Sequence, residues 1–370
     1  MKVIRRDLEP LITNKMSPGK AIALTGPKGV GKTYFLKHIK EQYGDPCHYY
    51  DASKHTHYEK LQEGLSGHDS GSITFLFIDE AWTLLNIRKV LTNFLRQLPN
   101  TRFILTFESQ SQLQPIRDLI THCVLFPLTQ SESLQFSQSR KRETLLAENL
   151  VYGSYPKLLH LKTKLEKKEY LMAMADYYIK EHLQKAEKRI KPGKELQLLK
   201  IFSYLIGEEV FFHELELKTS LNYRIIERYM EHLTDLGLTH KLMGLKRNLT
   251  KEVGKHSCLY FMDNGIRNAF IGNFNPARIR SDVDKLWKNY LMSERIKQQQ
   301  YRNMNVRNYF WRTYDQQELD WVEEKQGQLV GYRFTLDVLP HKIPAAWRRA
   351  YPLAEFKVIT PDNYNEWVFS

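Results

Sequence analysis

Eight consecutive residues, Gly26-Pro27-Lys28-Gly29-Val30-Gly31-Lys32-Thr33, fit the pattern G-x-x-x-x-G-K-[ST]. Glycines let backbone N–H groups turn inward around a phosphate, where side chains would block approach. A helix beginning here adds the partial positive charge of its N-terminus. Lys32 is then placed to reach the β- and γ-phosphates of a nucleotide, and Thr33 to give its hydroxyl to Mg²⁺. The expected nucleotide-binding set is Gly26, Pro27, Lys28, Gly29, Val30, Gly31, Lys32 and Thr33, with Tyr34 following on the helix. Farther on, the apolar run Phe75-Leu76-Phe77-Ile78 ends in Asp79 and Glu80. Asp79 emerges where ligands of parallel sheets sit, suited to hold Mg²⁺ with Thr33. Glu80 can orient and deprotonate an attacking water, so Glu80 and Lys32 form the expected catalytic pair. A water-activating acid also separates the chain from kinases acting on small molecules.

Weaker candidates surround this core. Thr106 ends the strand expected to lie next, and reads either as a contact to the γ-phosphate or as an ordinary β-branched strand residue. Lys157, after Gly153-Ser154-Tyr155-Pro156, reads as a lid lysine over the phosphates or as part of a helix-entry turn. Arg117 is a candidate arginine finger with no spacing to support it. His55 and His57 stand two apart in a polar stretch, which suits a solvated loop better than a metal pair. No G-x-S-x-G elbow occurs.

These residues need a scaffold. AIALTG (21–26), ITFLFIDE (73–80), TRFILTF (101–107) and CVLFPL (123–128) read as buried strands, with helices over about 32–43 and 86–98. Strands alternating with helices predict a parallel, doubly wound sheet ending near residue 130. Residues 131–205 read as helical and heavily charged, with Met172, Met174, Tyr177 and Tyr178 as core residues, and a break at Lys191-Pro192-Gly193. Residues 211–242 read as helix, turn, helix and strand. From about 282, a helix precedes short strands in NYFWRTY, ELDWVEE and LVGYRF.

The 370 residues carry 55 Lys and Arg against 42 Asp and Glu, a formal charge of +13. That balance suits polyanionic partners, nucleic acid before acidic membrane surface, although solvated helix faces would also account for it. Three dispersed cysteines exclude a disulfide scaffold and a cysteine-rich zinc module. No apolar run is long enough to span a membrane, and the first twenty residues lack a signal-peptide core. The expected location is cytoplasmic.

On GPKGVGKT, FLFIDE, FPLTQSE, GSYP, CLYFMDNGIRNAF, LWKNYLMSERI and the stretch from YFWRTY to GYRF, the chain resembles prokaryotic AAA-type ATPases with a C-terminal nuclease-like domain. The resemblance implies an α/β fold: a P-loop AAA-type parallel sheet with a helical lid, a winged helix, and a degenerate restriction-endonuclease-like (PD-(D/E)XK-related) α/β domain. The implied boundaries are 1–135, 136–195, 196–275 and 276–370, and the implied cofactors are ATP and Mg²⁺. Departures matter. Lys288, Arg333 and Thr335 stand where the family often has Glu, Glu and Lys. Two cations at ligand positions would repel a metal ion, so Glu294, Glu318 and Asp320 read as ion-pair partners in an inactive remnant. Phe107-Glu108 replaces the family's Gly-Ser, which weakens the sensor role of that loop. Arg224, Arg228, Lys241, Lys246, Arg247 and Lys251 would lie on the winged helix and its wing. The main reading is Mg²⁺-dependent ATP hydrolysis coupled to movement of the later modules. The alternatives are a nucleic-acid-binding ATP switch with little turnover and an ATP-gated nuclease, the last disfavoured by those cations. Candidate partners are DNA or another protein, with oligomer formation open and no membrane.

Overall fold

The computed structural model describes residues 4–44, 46–64, 73–136, 142–183, 193–246, 257–337 and 342–369. It divides into two compact units, one of residues 4–128 with 235–237, the other of 129–234 with 238–369.

In the first unit, α1 (Glu9–Lys15) precedes β1 (Ala21–Thr25), α2 (Lys32–Tyr43), β2 (Cys47–Asp51), α3 (His55–Glu63), β3 (Phe75–Asp79), α4 (Ile87–Gln97), β4 (Arg102–Phe107) and β5 (Ile120–Val124). The strands form one parallel sheet in the order β2-β3-β4-β1-β5. Every residue of β1 and β3 is buried, which is why both read as unbroken apolar runs rather than alternating ones. On α4, Ile87, Val90, Leu91 and Phe94 recur at helical spacing and bury one stripe in the core of this sheet.

Two strands differ from the sequence expectation. β2 has no apolar run, since His48, Tyr49 and Asp51 are only half-buried on an edge strand. β5 ends at Val124 instead of running through 123–128. Its ladder to β1 uses Ile120, Thr121 and His122, while the apolar Leu125 and Phe126 are buried beyond the strand end.

The second unit begins with α5 (Gln130–Phe136), α6 (Arg142–Tyr152), α7 (Lys164–Tyr177), α8 (Lys194–Tyr204), α9 (Phe212–Thr219) and α10 (Tyr223–Asp235). Met174 and Tyr178 are buried, in keeping with core roles. Of the expected break at 191–193, Lys191 and Pro192 lie outside the described residues, and Gly193 caps α8. Then come β6 (Thr239–Gly244), β7 (Ser257–Phe261), α11 (Asn264–Ile271), α12 (Val283–Tyr301), β8 (Arg307–Arg312), β9 (Glu318–Lys325), β10 (Gln328–Phe334), α13 (Ala345–Ala350), β11 (Glu355–Ile359) and α14 (Tyr364–Phe369). A single six-stranded mixed sheet joins them in the order β11-β10-β9-β8-β6-β7.

α12 is buried on nearly all sides although it is rich in charge, and burial of charge is tolerable only with partners. Each buried charge has one. Glu294 pairs with Lys297 at 2.8 Å, and Arg295 makes a two-pronged contact with Glu323 at 2.6 and 2.8 Å. The buried Asp263 caps α11 by accepting from the Ile266 N–H, and also accepts from the Ser154 N–H at 2.7 Å. Gly153 passes so close that a Cβ there would sit 2.1 Å from an Asp263 oxygen. The GSYP motif therefore has a structural role, clasping the start of α11.

Candidate functional site

The phosphate loop joins the end of β1 to the start of α2. Gly26 meets the backbone of the chain leaving β5, and a Cβ on it would lie 2.2 Å from the Leu125 carbonyl oxygen. Gly31 begins α2 at φ 97°, in the left-handed region that favours glycine. Its N-cap, Gly31, brings no side chain to α2, and first-turn N–H groups of this kind suit an anion. Thr33 and Tyr34 are exposed on that first turn.

Lys32 is buried, and its ammonium donates to the Gly26 and Pro27 carbonyl oxygens at 2.6 and 3.3 Å. Burial lowers its pKa, against the opposing pull of Glu80, Glu108 and Asp79. The loop thus holds its own cation through two of its carbonyls.

Asp79 ends β3 and is buried. Its Oδ1 accepts from the Thr106 hydroxyl at 2.5 Å, and its Oδ2 from the Tyr49 hydroxyl at 2.9 Å. β4 lies between β1 and β3, which sets Thr106 opposite Leu24, two residues before the loop. The Thr106 oxygen in turn accepts from the Glu80 N–H at 2.9 Å. Glu80 stands at φ 54°, an uncommon conformation for a non-glycine residue, held by that bond. Its Oε2 accepts from the Trp82 indole N–H at 2.6 Å, and burial raises its pKa. Backbone amides, the hydroxyl of an exposed threonine and a buried carboxylate are a donor set that suits a polyphosphate and a hard divalent cation.

The structure thus brings together Lys32, Asp79, Glu80 and Thr106 with the buried Glu108 that follows β4, and adds two residues that no sequence pattern marked for the site, Tyr49 and Trp82. Tyr49 was hidden because β2 lacks an apolar pattern. Arg117 is exposed, with its charge acting on His122 of β5, and that histidine bonds the Thr25 hydroxyl at 2.7 Å. His55 pairs with Glu59, while His57 accepts from the Asp51 N–H, so the two rings serve different partners. Lys157, in the second unit, lies 5.2 Å over the Tyr170 ring.

The C-terminal acids do not form one group. Lys288 pairs with Asp320 at 2.5 Å, and the other Asp320 oxygen accepts from the Phe334 N–H. Glu318 contacts Arg312 and, at 3.9 Å, Arg333. Glu294 is engaged elsewhere, by Lys297 and by the Gln130 N–H at 2.8 Å. Thr335 accepts from the Asp337 N–H. Arg224 and Arg228 are exposed on α10 one turn apart, Lys241 is half-buried, and Lys246 is exposed. Arg247 and Lys251 lie outside the described residues. No helix among the described residues is long and apolar enough to cross a membrane.

Residues 18–134 match the family model described as AAA domain. Residues 143–277 and 283–336 match two families described as domains of unknown function, DUF8612 and DUF4143. No curated protein matches the chain. Among solved structures it resembles two substituted forms of RuvB from Thermotoga maritima, at TM-scores of 0.33 and 0.34 and identities of 14% and 15%. Each likeness covers 63% of this chain and 85% of the other.

Proposed function

With an AAA-type P-loop ATPase domain at residues 18–134 as premise, we propose that the chain hydrolyses ATP in a Mg²⁺-dependent reaction that drives the later modules. One observation carries this reading. Glu80 stands one residue beyond Asp79, and the Thr106 hydroxyl holds both, accepting from the Glu80 N–H and donating to Asp79. The loop amides and the start of α2 bind the phosphates, and Lys32 exchanges its carbonyl partners for phosphate oxygens. Thr33 and Asp79 would hold Mg²⁺, which spreads the charge developing on the phosphate oxygens. Glu80, freed from Trp82, orients a water and takes its proton.

Removing the buried lysine tests the premise at its base. Lys32→Ala should weaken ATP binding by roughly 2–5 kcal/mol, at least about thirtyfold in Kd, in a fluorescent-nucleotide titration. Unchanged affinity in a folded variant would sink the phosphate-loop assignment. A second reading, an ATP switch with little turnover, draws on the Trp82 contact that occupies the Glu80 carboxylate.

For the remainder we keep a helical lid at 136–195, a winged helix at 196–275 and an inactive nuclease-like region at 276–370. The support is the exposed Arg224 and Arg228 on α10, and the cations seated on Asp320 and Glu318. Labelled single- and double-stranded DNA, incubated with the chain and Mg²⁺ at two salt concentrations, should bind and remain uncut. Binding should fall steeply with salt and weaken in the Arg224→Ala, Arg228→Ala double variant. Cleavage that Asp320→Ala abolishes would refute the inactive site. Binding indifferent to both arginines would leave α10 a structural spacer.

A further inference from the structure

Asp79 takes a hydroxyl hydrogen from the strand on either side of it. Thr106 reaches it from β4 and Tyr49 from β2, each bonded to a different carboxylate oxygen. The Tyr49 ring is itself held in place, because the ammonium of Lys37, on the helix that follows the phosphate loop, lies 5.5 Å over it. A phenol keeps its proton at neutral pH, so the Tyr49 hydroxyl stands as a donor to Asp79.

An aspartate carboxyl turns easily about its last torsion, since such sp³–sp² bonds have broad minima. One hydroxyl would leave Asp79 free to swing about that contact. Two, arriving at separate oxygens from opposite neighbouring strands, fix the plane of the group. Each oxygen then keeps a lone pair for a cation or for its water shell. Sharing its charge with two donors weakens the pull of Asp79 on a cation, whereas fixing its direction strengthens it. Measured losses on removing such outer partners show that orientation wins, by about 10- to 100-fold in metal affinity.

We propose that Tyr49 is a positioning residue that orients Asp79 for a divalent cation and thereby sets how strongly nucleotide binding depends on that cation. The proposal rests on the reading of Asp79 as the cation-facing acid. It gives a role to an edge strand that supplies no loop or helix residue to the phosphates.

The test uses the full chain and a fluorescent ATP analogue, titrated once in Mg²⁺ and once in EDTA. The ratio of the two affinities reads the cation's contribution without any turnover. Tyr49→Phe keeps the ring and its place under Lys37 and removes only the hydroxyl. It should lower the ratio about tenfold, with the EDTA affinity held within about twofold. Asp79→Asn, run beside it, should abolish the Mg²⁺ advantage. A ratio unchanged in Tyr49→Phe but lost in Asp79→Asn overturns the role of Tyr49 alone. A ratio unchanged in both overturns the assignment of Asp79 as well. Equal weakening with and without Mg²⁺ would reduce Tyr49 to a packing residue, which also overturns the proposal.

Discussion

Glu80→Gln is expected to bind ATP as wild type does and to release phosphate 10²–10⁴-fold more slowly, roughly the contribution of a positioned general base. The amide has the same shape, and its oxygen can still accept from the Trp82 indole, so the local structure should survive. It cannot take a proton from water. Burial raises the pKa of the Glu80 carboxyl, which makes it a stronger base than an exposed glutamate. Single-turnover phosphate release beside a nucleotide titration separates the two effects. Equal rates in variant and wild type would remove Glu80 from the mechanism. A wild type that binds ATP and releases no phosphate would favour the switch reading, with Trp82 as the group that keeps Glu80 out of use.

The largest expected loss of stability lies in the second unit. Gly153→Ala should destabilise the second unit by about 4 kcal/mol, combining left-handed backbone strain with disturbance of a buried carboxylate. At φ 72° the new methyl would fall 2.1 and 2.3 Å from the two Asp263 oxygens. Asp263 would have to retreat from the Ser154 N–H while remaining buried. Gly272→Ala is the control, because φ there is 68° and a Cβ would meet nothing within 4 Å. Its cost should be the backbone term alone, about 1–2 kcal/mol. Urea denaturation followed by tryptophan fluorescence reads chiefly the second unit, which holds every tryptophan except Trp82. Equal midpoints for the two variants would refute the close approach as the cause.

The parts legible in the sequence are those where chemistry and burial coincide along a short stretch. The loop from Gly26 to Thr33, the buried strands β1 and β3, and the apolar stripe of α4 all carry local patterns. Asp79 and Glu80 were legible because an apolar strand ends on them. What escaped depended on partners distant in sequence. Tyr49 matters through Asp79, thirty residues on, and its strand shows no alternation because it lies half-exposed at an edge. Asp263 and Gly153 explain one another only once α11 has folded against the GSYP turn. The C-terminal acids suggested a single ion-pair group, yet Lys288 and Glu294 are six residues apart on α12 and so face different sides of it. A helix enclosed by protein can give each face its own set of partners.

The six-stranded sheet of the second unit has a mechanical consequence. β6 bonds to β8 through Met243 and Gly244, and the Leu245 N–H extends that seam to Phe310. From β7 to β11 the ladder is therefore continuous, with five inter-strand steps spanning about 24 Å. A hydrogen-bonded sheet resists bending between neighbouring strands far more than a loop does. A tilt imposed on the hairpin of β6 and β7 would accordingly carry β8, β9, β10 and β11 with it as one stiff plate. The six strands would then turn together as a lever.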